Sequence, residues 1–276
     1  MYKNYGMKSI IAITGIIFCM VTGIAYAEIE TPNAFEASVD FLHNDYKESA
    51  TPPFKSNEKG WLPGGRLVYT YQGITNPLYG RLLGEFFDGE LDYDGSTQEG
   101  VPLKATSDAQ VFIGEANIGY NIKPLKVIVY TGIGYRDWNR FVARQYTEDY
   151  RWKYWPIGLR GSYRINENIS GSIDVSARYA FGGTIKVYLT DMHDAYNDPK
   201  ADLGEKWGYR IEAPVEFKVP NNPNWTMVAT PWYEYSAIGK SNVFDITYGG
   251  EVIGYGYEPD SKTKQFGVNL GLKYRF

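Results

Sequence analysis

Apolar and polar side chains alternate with a period of two in stretch after stretch of this chain, and the last stretch is the cleanest. From Lys264 to Phe276 one parity holds Phe266, Val268, Leu270, Leu272, Tyr274 and Phe276, and the other holds Gln265, Gly267, Asn269, Gly271, Lys273 and Arg275. Successive side chains of a strand face opposite sides, so one face of this strand is apolar and aromatic and the other small, polar or basic. The same alternation predicts a first strand over Phe35 to Tyr46, with Phe35, Ala37, Val39 and Phe41 outward and Glu36, Ser38 and Asp40 inward. Further strands are predicted over Gly65 to Gly73, Tyr79 to Leu91, Phe112 to Tyr120, Leu125 to Trp138, Tyr150 to Arg164, Ile173 to Phe181, Trp207 to Val219 and Trp225 to Ala237.

Short connections near Asn76, Lys123, Glu167 and Asn222 alternate with long ones, among them an aspartate-rich excursion from Leu189 to Gly204 and a Gly- and Tyr-rich loop from Ile238 to Ser261. Strands of about ten residues, apolar on one face only and joined by alternating short and long connections, predict an all-β chain: a single antiparallel transmembrane β-barrel of about ten strands. Short turns then face the periplasm and long loops the exterior. Aromatic residues near the strand ends, Tyr163, Trp225 and Tyr274 below and Tyr135, Trp152 and Trp207 above, are expected to form the interfacial girdles.

The N-terminus supports export. Lys3 and Lys8 precede an apolar run from Ile10 to Ile24, and Ala25-Tyr26-Ala27 reads as a small-residue cleavage site, so residues 1–27 are expected to be a signal peptide and 28–276 the barrel domain of the cell outer membrane. The single cysteine, Cys19, lies in that leader, which leaves the mature chain without thiol or disulfide chemistry. Removing Lys3 and Lys8 leaves 26 basic against 32 acidic residues, a formal charge of −6, and no basic nucleic-acid surface. Aromatic residues make up 16% of the chain, although no later stretch is apolar for about 18 residues. That combination fits a wall in which only alternate residues meet lipid.

The inward parity carries both signs of charge, including Arg66, Arg81, Glu85, Glu115, Arg136, Asp174, Arg178, Arg210, Glu212, Glu216 and Glu234. A barrel of this size has room for side chains or one small ligand, and buried charges must pair. The lumen is therefore expected to be filled, with a surface or structural role exercised through the external loops. A narrow solute channel or lipid transporter is the competing expectation. The expected partners are outer-membrane lipid and lipopolysaccharide around the wall and an external ligand or peptide at the loops, with the chain a monomer and no nucleic acid or cofactor involved.

Two constellations lie toward the external end: Asp92-Tyr93-Asp94 and Asp191-Met192-His193. With W-P-I-G-L-R-G-S-Y-R at Trp155 to Arg164, G-Y-R-D-W-N-R-F-V-A at Gly134 to Ala143 and the closing G-L-K-Y-R-F, they make the chain resemble the omptin family of ten-stranded outer-membrane endopeptidases. The resemblance implies a water held between Asp92 and Asp94 on one side and Asp191 and His193 on the other, with His193 as general base. The family's segment rich in Trp, Ser, His and Pro is absent between Gly95 and Gln110. On the parity that sends Leu82 and Phe86 outward, Asp92 and Asp94 also face outward, so the site requires a bulge in each strand, at Gly89 and at Gly182-Gly183. The same stretch also reads as the start of a calcium loop, Glu90-x-Asp92-x-Asp94-Gly95, with Val101 at the place of the bidentate glutamate. His43 is expected at the rim without a catalytic partner, and Gly132 and Gly134 lie within a strand, where they make room for lumen side chains.

Overall fold

Each alternating stretch is a strand of one closed wall. The computed structural model describes residues 32–97 and 99–276, so the expected leader and its cleavage site lie outside the described residues. In chain order the strands are β1 (Asn33–Glu48), β2 (Ser56–Gln72), β3 (Leu78–Ser96), β4 (Pro102–Ile122), β5 (Val127–Val142), β6 (Tyr146–Arg164) and β7 (Ile169–Tyr188). There follow β8 (Lys200–Leu203), β9 (Lys206–Glu212), β10 (Val215–Val219), β11 (Asn222–Ile238), β12 (Phe244–Tyr248), β13 (Glu251–Gly256) and β14 (Ser261–Arg275). Neighbours pair antiparallel, and β14 closes on β1 with Phe35 opposite Tyr274 and Phe41 opposite Val268. Segments β8, β9 and β10 share one place between β7 and β11, which makes ten wall positions, while β12 and β13 form a separate hairpin.

Prolines inside the wall sit where the ladder is already broken, Pro156 of β6 among them, where pairing to β5 lapses between Tyr154 and Ile157. Pro63, expected in a loop, lies within β2 where pairing to β3 lapses between Lys59 and Gly64, so its missing N–H leaves no gap in a bonded row. Pro231 of β11 faces the break between β9 and β10 at Ala213-Pro214 and gives its carbonyl to the Ala213 N–H at 3.0 Å.

Several strands run past their expected upper ends, and their polarity inverts on the way. In the lower part of β3, Leu82 and Phe86 are outward and Arg81 and Glu85 inward; above Phe86, the outward set is Asp88, Glu90, Asp92 and Asp94 and the inward set Phe87, Leu91 and Tyr93. On β1 the change comes between Phe41, outward, and Leu42, inward. Lipid outside demands apolar outward faces, and water outside demands the reverse, so the inversion marks the upper edge of the membrane. Trp152 of β6 stands above that edge and is buried in the barrel interior, which corrects its assignment to the upper girdle. The long strands also shorten two external connections, 97–101 and 143–145, so the contrast with the lower turns rests on the remaining loops.

Candidate functional site

The interior is filled in layers. Near the lower end, Lys273 meets Glu216 at 2.5 Å and Glu36 at 3.3 Å, and Arg275 meets Glu216 at 2.6 Å. Above lies a lattice of arginine and glutamate. Arg210 bonds both oxygens of Glu85 (2.6 and 2.8 Å) and also meets Glu212 (2.8 Å) and Glu234 (3.3 Å). Glu212 bonds Arg66 (3.0 Å) and Arg81 (3.1 Å), and Glu234 bonds Arg136 (2.8 Å) and Arg178 (2.7 Å), which continues to Glu115 at 2.8 Å. Each charge is answered at hydrogen-bond distance, as burial out of water requires. Leu42, Leu62, Phe87, Leu91, Val111, Ile113 and Trp152 form an apolar layer over this lattice. A cavity of about 20 Å³ between Arg136, Trp152, Tyr154, Arg178 and Glu234 has room for one water.

An aromatic cage closes the upper interior. Arg140 of β5 lies over the rings of Tyr46 (4.6 Å), Trp138 (5.2 Å) and Tyr150 (5.2 Å) and pairs with Glu148 at 2.6 Å, Glu48 at 3.1 Å and Glu58 at 3.3 Å. A fourth carboxylate descends from the last external connection: Glu258 accepts the Tyr46 hydroxyl at 3.1 Å, and its backbone exchanges bonds with Ser241. Burial, together with the carboxylates of Glu48 and Glu148, raises the Glu258 carboxyl well above the usual glutamate range.

Over the cage sits a cap made by the β12–β13 hairpin and the 189–199 connection. Phe244 and Ile246 pack against the buried apolar cluster that includes the cage rings, opposite Gly256 and Gly254 of β13. A Cβ on Gly256 would meet the Phe244 ring at 2.6 Å, so glycine there lets the hairpin lie flat. Asn197 ties the two parts: its N–H donates to Thr247 at 3.2 Å, its side chain donates to Asp245 at 2.9 Å, and it accepts the Thr247 N–H at 2.9 Å. Val243, Tyr248, Val252, Ile253, Tyr255 and Tyr257 remain exposed on the outside of the cap.

The residues expected to activate water are not brought together. β3 keeps unbroken register with β4 from Leu78 opposite Tyr120 to Ser96 opposite Pro102, so no bulge forms at Gly89. Asp92 and Asp94 therefore point away from the lumen, and Asp94 pairs with Lys55, whose hydrogen bond holds its carboxyl below the usual aspartate range. In β7 the bulge does occur: Arg151 is opposite Thr184 and Lys153 opposite Phe181, with Gly182 at φ +58°. It turns Ile185, Val187 and Leu189 inward, but Asp191 leaves the strand on a short 3-10 turn and accepts the Thr147 N–H at 2.9 Å. His193 is exposed, accepts the Ala195 N–H on Nδ1 at 3.1 Å and lies 5.3 Å from the Tyr248 ring. The aspartate pair and the histidine thus sit four wall positions apart, with the pair on the outer surface.

The calcium reading fails for a similar reason. Glu90, Asp92 and Asp94 alternate along an extended strand about 7 Å apart and cannot wrap one ion, which needs its oxygens at about 2.5 Å. Glu90 is taken by Arg144 at 2.6 Å, and among the described residues no cluster of ligating side chains could hold a metal. His43 faces outward between Trp61 and Phe266, with ring centroids 5.1 and 4.7 Å away. Sequence reading left Glu58 and Glu258 in loops and missed that both reach the Arg140 cage, Glu58 on Arg140 itself and Glu258 on Tyr46. Carrying the parity of β2 upward from Arg66 would have placed Glu58 inside; nothing local marks Glu258.

No protein-family model matches the chain, and no curated protein matches it in sequence. Among solved structures, the outer membrane protease OmpT from Escherichia coli is similar with a TM-score of 0.52 and 11% identity, over 92% of this chain and 99% of that one. OprG from Pseudomonas aeruginosa aligns at a TM-score of 0.43 and 10% identity, over 89% and 97%, and the attachment invasion locus protein Ail of Yersinia pestis at 0.33 and 14%, over 89% and 100%. The likeness to the protease is one of fold, and with its lipid-facing belt and closed wall the chain is a ten-stranded barrel of the bacterial outer-membrane kind.

Proposed function

We propose that this barrel acts at the cell surface through its external cap, as a binding or structural protein, and neither conducts solutes nor cuts peptides. The observation that carries the reading is the closure of the interior by successive layers: the lower ion pairs, the arginine–glutamate lattice, the apolar layer, the Arg140 cage and the hairpin above it. A path for solute would have to break charge pairs that lie out of water, each at a cost of several kcal/mol. Chemistry at the mouth would need a base beside an acidic pair, whereas Asp92 and Asp94 stand outside the wall and His193 on the cap. What faces the exterior instead is a folded hairpin with an exposed apolar and tyrosine-rich side.

Reconstitution in planar bilayers tests the reading. The mature barrel should be silent at moderate voltage and should leave a peptide with paired basic residues intact. Reproducible conductance steps, or hydrolysis that vanishes in His193→Ala while the barrel stays folded, would overturn it.

A further inference from the structure

Four lysines stand together on the outer wall without an ion-pair partner among the described residues: Lys47 on β1, Lys59 on β2, and Lys262 and Lys264 on β14. The register packs them tightly. Lys262 is directly opposite Lys47, and Asp45 lies between Lys264 on one side and Lys59 on the other. Two carboxylates face the group, Asp45 from within and Asp92 of β3 opposite Lys59, so the patch keeps an excess of positive charge on a chain whose total is negative. Several other cations of the upper wall are neutralised, Arg144 by Glu90 and Asp108, Arg151 by Asp137 and Asp149, Lys55 by Asp94 and Lys206 by Asp260, whereas Lys104 and Lys153 stand singly among the described residues. Like charges set directly opposite on a sheet destabilise it, as Lys47 and Lys262 are, so the cluster calls for an anionic partner.

The position of the patch names the partner. The lipid-facing side of β2 runs from Tyr71 through Tyr69, Leu67, Gly65 and Pro63 to Trp61. About ten steps of ~3.3 Å on a strand tilted by ~40° rise ~25 Å, the height of the apolar band of such a barrel. Trp61, His43 and Phe266 therefore form an aromatic row at the outer edge of the bilayer, and the lysines lie within the next two rows above, at headgroup level. Below, Phe41, Val39 and Leu270 are exposed toward the acyl chains.

We propose that this sector of β14, β1 and β2 binds a phosphate-bearing glycolipid of the outer leaflet, with its phosphates on Lys47, Lys59, Lys262 and Lys264, its sugars against Trp61 and His43, and its chains along Phe41 and Leu270. The site is on the opposite face of the wall from the plugged interior and does not depend on the role given to the cap.

Native mass spectrometry of the delipidated barrel in neutral detergent, titrated with a bisphosphorylated diglucosamine lipid, reads the proposal directly. The wild-type barrel should retain one such lipid, and K59Q/K264Q should weaken retention on the order of tenfold or more, since a lysine near a charged membrane surface contributes about fivefold. Lys153→Gln, an exposed lysine of β6 outside the patch, should leave it unchanged. The proposal is overturned if the dephosphorylated lipid binds equally well, if the double variant binds as the wild type does, or if inorganic phosphate at matched concentration displaces the lipid fully.

Discussion

Arg210 is the residue on which the plugged interior can be tested energetically. It is buried, lies 4.4 Å over Trp232, and is the main partner of Glu85, whose other cation, Arg66, is 3.4 Å away. Its remaining neighbours are independently held: Glu212 keeps Arg66 and Arg81, and Glu234 keeps Arg136 and Arg178. Arg210→Met preserves much of the packing on Trp232 and leaves the buried Glu85 short of charge. Breaking a buried pair in this way costs about 3–5 kcal/mol, because the survivor cannot be resolvated. Replacing both members, Arg210→Met with Glu85→Leu, removes the stranded charge along with the pair and should return stability to within ~1 kcal/mol of the wild type. Reversible urea unfolding from lipid vesicles, followed by tryptophan emission and by the heat-modifiable gel shift, measures all corners of the cycle. A loss below ~1 kcal/mol in Arg210→Met, or a double variant no more stable than that single one, would refute the view that the lattice is a mutually dependent set of charges.

Two further outcomes follow from local geometry. The Glu258 carboxyl is raised in the docked cap relative to a released one, so docking takes up a proton: its stabilisation is complete below the ordinary glutamate range and is lost as pH rises through the raised value. Proteolysis of the 239–260 connection should be slower at pH 5 than at pH 8, with the difference abolished in Glu258→Gln; equal rates in the wild type would remove Glu258 as the latch. Gly134 of β5 is paired with Tyr154 of β6, whose ring crosses the space a Cβ would need, so Gly134→Ala should cost about 1–3 kcal/mol in the same urea assay, and an unchanged midpoint would show that the ring moves aside freely.

The parity of side chains was readable from sequence almost throughout, because a strand offers only two faces and a one-residue slip would exchange them. Arg66, Glu85, Glu115, Arg136, Asp174, Arg178, Arg210, Glu212 and Glu234 all lie inside, as alternation requires. What parity alone does not reveal is whether the apolar or the polar face points outward, since that depends on the solvent outside. Up to Phe86 the outside of β3 is lipid and its inner set carries the charged Arg81 and Glu85; beyond Phe86 the outside is water, Phe87, Leu91 and Tyr93 become the core, and Asp88, Glu90, Asp92 and Asp94 become the solvated face. Reading polar residues as inward is correct below that line and wrong above it. The same inversion draws Trp152 inside and leaves Asp92 and Asp94 with an Asp-x-Asp spacing that a water-exposed strand produces by alternation, without any catalytic demand. Glu58 and Arg140 are exceptions to the inverted pattern: they are charged, inward and above the line, and they pair in the cage whose Tyr46 hydroxyl bonds the acid that comes from outside the wall, Glu258. A charged side chain on the face that should be apolar is therefore the local sign of the latch, and it is readable only once the membrane edge has been placed.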